Sequence, residues 1–446
     1  MNKINNTSKN GAIWLKGDLH LHSPLVKSFI LPGSFDVNDK NLLITEYVNA
    51  LKQKNISFAA ITDYQQIRIP WFQNFQKAAE KENIVIFPGV ELSITYGKGL
   101  HILLVFEFDE DLNGINDYIK SLDKNPQTPL IKNDRIHRDI DLQRNIKDIL
   151  QEIKTKFNCL IIFPHPNDEN GILKSLQPKE AAGLLKYADA IEYLDNSNKD
   201  RLISTNQLNN NFFEGFSIIE NTDPKTLDEI GNKQRNGKTR ATYYKLSNIS
   251  INAIRTAFQD PQMRISIYEK PQYDYDRLNW IKVEGSKFLK SVEINFNKEL
   301  NCLIGGRGVG KSAILESIRY CLKNPYYSEQ SFREDFVSNV VGSGGKITLS
   351  VSRKMGDQIK EYTIERIIGK EPTVTNYQLM PSEIFEDSIP IIIGQKELYH
   401  LTNDKEYLLR LIDQLIGSEI KNEESLLVEK IYQLKDNAKK YLNIIE

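Results

Sequence analysis

Three cysteines in 446 residues, Cys159, Cys302 and Cys321, are too few and too scattered for a disulfide framework or a thiolate metal site. Each lies in an apolar or helical context, so buried free thiols in a reducing compartment are expected. No apolar run approaches the length that crosses a bilayer. Met1 to Asn10 is polar and has no apolar core of a secretion signal. Net charge is also missing: 58 Lys and Arg oppose 59 Asp and Glu, leaving −1. The balance gives no general argument for nucleic-acid binding, and any basic surface has to be local. With 26% charged and 40% hydrophobic residues, the composition is that of a soluble globular protein. A cytoplasmic location without a membrane partner is expected. The length exceeds one ordinary core and implies two or three domains.

What is present is chemically specific. Gly305-Gly306-Arg307-Gly308-Val309-Gly310-Lys311-Ser312 satisfies G-x-x-x-x-G-K-[ST] in full. Residues 299–304 before it read as a short buried strand, and residues 313–322 after it read as a helix. In that setting the glycines curl the backbone so that N–H groups point at phosphate oxygens in front of a helix N-terminus. Lys311 reaches the β- and γ-phosphates and Ser312 holds Mg²⁺, so ATP with Mg²⁺ is the expected ligand.

Histidine is rare, at six residues, and two of them form Asp18-Leu19-His20-Leu21-His22-Ser23. The apolar approach from Ala12 predicts a strand, on which residues two apart share one side. Such a pair suits a divalent transition metal. Further apolar segments end in polar residues able to bind metal. Residues 58–62 lead to Asp63 and 84–90 to Glu91, while His101 begins the run 102–106. Residues 159–164 deliver His165, 190–194 lead to Asp195 and Asn196, and 216–220 lead to Asp223. Helical stretches at 42–54, 71–82, 141–157 and 178–187 separate them. Alternating strands and helices predict a parallel sheet closed into a barrel, whose C-terminal strand ends converge on one face. His137, in the charged run 132–139, reads as part of a solvated loop or a helix start, outside that site.

On these motifs residues 12–245 resemble a PHP domain, a metal-dependent phosphoesterase with a distorted seven-stranded βα barrel. Ile61-Thr62-Asp63, Pro88-Gly89-Val90-Glu91, Pro164-His165-Pro166 and Asn221-Thr222-Asp223 complete the ordered series. The resemblance implies His20, His22, Glu91, His101, His165 and Asp223 as metal ligands, with Glu91 bridging and Asp63, Glu91 and Lys225 in catalysis. It also implies Mn²⁺, Zn²⁺ or Fe²⁺. Where that family usually has histidine, this chain has Tyr64, Lys225 and Ser28, so one or two ions rather than three are expected. Lys225, protonated, would hold a phosphate oxygen as a point charge.

Residues 246–264 read as a connecting helix, and the next clear strand is 288–294. Alternating segments at 346–351 and 361–366 follow, then an apolar strand from Pro390 to Gln395. This order resembles the N-terminal half of an ABC-type ATPase head of the SMC/RecN kind, which implies that Gln395 reaches Mg²⁺ and the attacking water. Leu427, Ile431, Leu434, Ala438, Tyr441 and Ile445 follow the spacing of a coiled-coil seam. No signature segment of the Leu-Ser-Gly-Gly type and no strand ending in an acidic pair follows. The expectation is that the chain is a fragment or that a second polypeptide completes the head, and that alone it hydrolyses ATP poorly.

The expected organisation is therefore α/β throughout: a PHP barrel over 1–245, a helical connector over 246–275, half an ABC/SMC-like head over 276–416 and the start of a coiled-coil arm over 417–446. The combination resembles the TrlF-type family of PHP–ATPase fusions. That resemblance implies an ATP-gated nuclease in DNA maintenance or defence against foreign DNA, with nucleic acid as partner. A homodimer through ATP-closed heads is the implied assembly, unless a second chain completes the head. The alternative is a nucleotide-switched nucleic-acid-binding protein on a silent scaffold.

Overall fold

The computed structural model describes residues 11–31, 39–132, 136–285, 287–324, 326, 330–356, 358–385, 390–394, 397, 408–409, 412 and 418–445. The chain divides into two compact units, Met1–Gln272 and Tyr273–Glu446. In the first, the strands in chain order are β1 (Ile13–Leu21), β2 (Ile56–Tyr64), β3 (Val85–Ile94), β4 (Leu100–Phe106), β5 (Ile131–Lys132), β6 (Ile136–His137) and β7 (Cys159–Phe163). They continue as β8 (Ala190–Glu192), β9 (Ser217–Ile219), β10 (Gln234–Arg235), β11 (Lys238–Thr239), β12 (Thr242–Leu246) and β13 (Ile265–Ile267).

Nine of these form one sheet in the order β13-β12-β1-β2-β3-β4-β7-β8-β9. β1, β2 and β3 run parallel, as do β7, β8 and β9. β4 opposes both β3 and β7, and β12 opposes β1. The end of the last strand returns to β12 through one hydroxyl: Thr242 Oγ1 donates to Glu220 O and accepts from Glu220 N–H, both at 2.8 Å. The result is a nearly closed barrel with a mixed sheet, not the parallel sheet that alternation predicted. Only residues 95–99 separate β3 from β4, far too few for the crossover that a parallel neighbour requires. Reversal of β4 has a consequence for chemistry: its first residues lie at the rim where the parallel strands end.

Inward side chains fill the barrel below that rim, among them Leu19, Phe58, Phe87, Leu103 and Ile162. The helix Ile251–Gln259 joins this cluster through Ile251, Ile254, Ala257 and Phe258. Residues 246–267, expected in a connector, are thus part of the barrel, and β13 extends its sheet. Helices Lys40–Gln53, Ile69–Lys81, Leu112–Ser121 and Ile146–Lys156 cover the outside with faces spaced three and four residues apart. Gly17 leaves no room for a side chain, because a Cβ there would lie 2.2 Å from Phe58 Cζ. Gly17→Ala is expected to cost about 1–3 kcal/mol by overpacking. Urea unfolding of the first unit measures this.

The second unit is built on an antiparallel sheet, β15-β14-β16-β17-β18, formed by β14 (Arg277–Glu284), β15 (Ser291–Asn295), β16 (Lys346–Met355), β17 (Gln358–Ile367) and β18 (Thr373–Val374). Ile281, Val283, Ile347, Leu349 and Ile364 pack against Ile314, Ile318 and Cys321 of helix Lys311–Leu322. Residues 299–304 do not form the predicted buried strand. They are irregular, Leu300 and Ile304 are about nine-tenths exposed, and Cys302 is exposed as well. No neighbouring strand pairs with this segment among the described residues, so its apolar side chains have nothing to pack on. Residues 390–394 likewise form no strand. Ser418–Ile445 is one 28-residue helix on which the seam residues Leu427, Ile431, Leu434 and Tyr441 are exposed. Among the described residues no helix is long and apolar enough to cross a membrane.

Candidate functional site

At the rim, side chains from five strand ends meet around one carboxylate. Glu91, near the end of β3, is fully buried. Its Oε2 lies 3.4 Å from His20 Nε2 and 3.1 Å from His22 Nε2. Its Oε1 lies 2.6 Å from His101 Nδ1 and 3.1 Å from His165 Nε2. Asp223 Oδ1 stands 3.7 Å from His20 Nε2 and 3.3 Å from His22 Nε2. The six residues expected as ligands therefore all converge. His20, Glu91 and His165 form one set of donors, and His20, His22 and Asp223 another, each with its atoms within 4.8 Å of one another.

The neighbouring residues fix these side chains. Glu192 Oε1 takes His20 Nδ1 at 2.9 Å and also accepts from Asn221 Nδ2 at 2.9 Å. That leaves His20 Nε2 facing Glu91, the orienting arrangement found around metal-bound histidines. Leu19 N–H donates to Asn221 Oδ1 at 2.8 Å, and Asp223 N–H to His20 O at 3.1 Å, so β1 and the segment 221–223 are held together. Asn170 Nδ2 lies 3.1 Å from His101 Nε2. His165 and Asp223 both have left-handed backbones, with φ of 40° and 42°. Backbone strain of this kind concentrates at functional sites.

Asp63 occupies a different place from the other carboxylates. Its oxygens accept from Ser23 N–H at 2.7 Å and Ser23 Oγ–H at 2.5 Å, and its Oδ1 is 4.0 Å from His22 Nδ1. It holds the turn that follows His22. Lys225 Nζ donates to Asp223 Oδ1 at 2.6 Å. Tyr64 stacks on His22 at 4.9 Å between ring centroids. His137, expected in a solvated loop or a helix start, instead stacks on Tyr64 at 4.0 Å and 14°, carried there by the β5–β6 hairpin.

Burial alone would lower the His20 pKa, but Glu192, Asp223 and Glu91 raise it well above its ordinary value. His22 and His165 are likewise raised against burial, His22 chiefly by the adjoining carboxylates of Asp223 and Glu91 and His165 chiefly by that of Glu91. Burial would raise Glu91, Glu192 and Asp223, yet the surrounding imidazoles hold all three below the ordinary carboxylate range. The raised histidines contribute stability below pH 6.5 that is lost as pH climbs through their folded values. The lowered glutamates contribute stability above pH 4.5 that is lost on acidification. A metal displaces the imidazole protons, so its affinity rises with pH. Metal-free protein is expected to melt lower at pH 9 than at pH 6, while the increase in Tm on adding Mn²⁺ grows over that interval. Scanning calorimetry at both pH values checks this, and an increment independent of pH would contradict it.

In the second unit the phosphate loop precedes helix Lys311–Leu322. Gly310, with φ of 101°, caps that helix in the left-handed region, and a Cβ there would crowd Phe288 at 3.2 Å. Lys311 Nζ donates to Gly305 O at 2.7 Å and Gly306 O at 2.6 Å. Arg307, Gly308, Val309 and Ser312 are exposed. A loop of this shape presents N–H groups and an ammonium to an anion. Gln395 lies outside the described residues.

Residues 281–446 match a family model described as an AAA domain (AAA_23). No curated protein matches the chain. Among solved structures the chain is similar to Endonuclease Q in complex with a 27-mer duplex substrate bearing an abasic lesion. That match is 13% identical at a TM-score of 0.36, and covers 56% of this chain and 58% of that one. It is also similar to a protein from Bifidobacterium adolescentis described as a metal-dependent phosphoesterase, 9% identical at a TM-score of 0.33, covering 52% of this chain and 93% of that one. The match thus spans little more than half of the Endonuclease Q chain, and at these scores the two likenesses carry no argument.

The donor chemistry itself bears on metal binding. Both ring nitrogens of His22, and Nδ1 of His101 and His165, are buried without a hydrogen-bond partner in proper geometry. Unpaired buried imidazole nitrogens beside carboxylates fit a divalent transition metal. Sequence reading missed Glu192 by following its strand to Asp195. β8 stops at Glu192, whereas Asp195 caps helix Asn196–Ile203 through a 2.8 Å bond from Asn198 N–H. Period-two alternation from the inward Ala190 could have found it.

Proposed function

We propose that the first unit is a metal-dependent phosphoesterase of the PHP kind acting on nucleic acid, and that ATP binding at the AAA-type second unit gates it. The observation that carries this reading is the engagement of both Glu91 oxygens, each by two imidazoles, with Asp223 beside them. Divalent ions would be held by His20, His22, His101, His165 and Asp223, with Glu91 shared between them. Such ions lower the pKa of a bound water and neutralise charge on phosphorus oxygens. The chain's own groups supply the rest. Glu192 orients His20, and Asp63 fixes the turn after His22 through Ser23. Lys225, about one-third exposed beside Asp223, places an ammonium where a phosphate oxygen would sit. Lys311 and Ser312 would hold ATP and Mg²⁺. A role in DNA maintenance or in defence against foreign DNA fits this pairing of units.

Incubation of the protein with Mn²⁺, ATP and labelled DNA or RNA tests the reading. Cleavage is expected for the wild type and its loss for His20→Ala/His22→Ala. Equal product from both would overturn the proposal. A second reading draws on the 2.6 Å pair of Lys225 and Asp223. There the ammonium replaces an ion, the barrel is a silent scaffold, and the protein binds nucleic acid under nucleotide control. A protein that purifies with less than one metal per chain would favour it.

A further inference from the structure

Between Lys233 and Arg240 the sequence is Lys-Gln-Arg-Asn-Gly-Lys-Thr-Arg, four cations in eight residues with no acid. In a chain with a net charge of −1 this is the kind of local basic surface that overall composition does not reveal. The stretch forms the β10–β11 hairpin, paired Gln234 to Thr239 and Arg235 to Lys238. Its two-residue turn is Asn236-Gly237, with φ of 51° and 77°. Positive φ at both positions marks the tight turn that matches strand twist, so the cations sit on a defined ribbon.

The hairpin is rooted in the metal centre at both ends. Lys233 Nζ donates to the carbonyl of Asp223 at 2.9 Å. Arg240 Nη2 stands 3.7 Å from Glu192 Oε2, the carboxylate that orients His20 through its other oxygen. Along the ribbon, anions are fewer than cations. Arg235 and Arg240 share the single carboxylate of Glu220, at 3.3 and 3.1 Å. Arg235 also lies over the Tyr193 ring, its Cζ 4.2 Å from the ring centroid. Lys238 is exposed, meets no carboxylate among the described residues, and lies over the Tyr268 ring at 5.5 Å.

We infer that this hairpin grips the phosphate backbone of a nucleic-acid strand beside the metal centre, with Lys238 and Arg235 as the contacting cations. This rests on the proposed reading of that centre, because a strand held here runs past Asp223 and Lys225. Repeating negative charge along a chain is the chemistry that a row of cations leading away from a hydrolytic site recognises. Contacts to phosphate position a strand without reading its sequence, so the grip is expected to be indifferent to base identity.

Fluorescence anisotropy with a fluorescein-labelled single-stranded oligodeoxynucleotide tests the inference. It is done in EDTA, so that the outcome stands whether or not the centre hydrolyses the strand. For single strands each neutralised phosphate adds about 0.7 to the slope of log K against log salt, which at 0.1 M is about fivefold in affinity. Lys238→Gln is expected to weaken binding about fivefold and flatten the slope by about 0.7, and Arg235→Gln/Lys238→Gln by about twice that slope. Arg235 also pairs with Glu220, so the single Lys238→Gln decides the matter should the double variant unfold. Wild-type protein that fails to bind, or Lys238→Gln with unchanged affinity and slope, would overturn the inference while leaving the metal chemistry standing.

Discussion

Glu91→Gln is expected to lose metal binding by about two to four orders of magnitude, the largest effect of any single change in the first unit. The side chain keeps its shape but gives up the charge that offsets the imidazoles on each of its oxygens. Removing one partner of a buried charge cluster costs about 3–5 kcal/mol, which is two to four powers of ten in an equilibrium constant. Hydrolysis falls with the metal. A second readout separates this from simple unfolding. In the metal-free wild type the carboxylates hold His20, His22 and His165 above their ordinary pKa against burial. In the variant the Glu91 contribution is lost: the His165 pKa, raised chiefly by Glu91, falls furthest, whereas Glu192 and Asp223 still hold up His20, and Asp223 still holds up His22. Imidazole resonances followed by NMR titration show the change. A variant that retains tight Mn²⁺ binding would remove Glu91 from the centre of the account.

Arg319→Met is expected to destabilise the second unit by about 3–5 kcal/mol. Arg319 is fully buried in the helix that follows the phosphate loop. It donates to both oxygens of Glu397, at 3.1 and 2.7 Å, and to the carbonyl of Ile392. Glu316 lies 3.6 Å away and joins Arg333, which itself reaches Glu397. Two arginines and two glutamates thus tie the phosphate-loop helix and helix Gln330–Val341 to Ile392 and Glu397. Losing Arg319 leaves Glu397 buried with part of its compensation gone. Arg319→Met/Glu397→Leu removes both charges and is expected to recover much of the loss, because a buried pair replaced by apolar groups is often neutral. Urea unfolding of wild type, single and double variants checks this. A double variant no better than the single would mean that packing, rather than charge, sets the cost.

His20, His22, Glu91, His165 and Asp223 drew notice because each follows or closes an apolar run, but it was the PHP resemblance, not the runs alone, that joined them with His101 into one ligand set. The direction of β4 was not legible, since His101 at the start of a strand looks misplaced until that strand reverses. Glu192 was passed over because an apolar run shows where a strand lies better than where it stops. His137 was read by its charged neighbours, although its position depends on a two-stranded hairpin that no local pattern announces. In the second unit, apolar residues at 299–304 predicted burial that the described residues do not provide. Apolar content shows what a segment favours, whereas burial requires a neighbouring surface as well. The charge network of Glu316, Arg319, Arg333 and Glu397 was invisible in sequence, because charged residues on helices usually face water.

The most direct measurement is the metal content of the protein after equilibration with Mn²⁺ and removal of free ion, read by inductively coupled plasma mass spectrometry. The donor sets His20/Glu91/His165 and His20/His22/Asp223 share His20, and one or two ions per chain are expected in the wild type, and none retained by His20→Ala/His22→Ala. Less than one ion per chain in correctly folded wild-type protein would contradict the account.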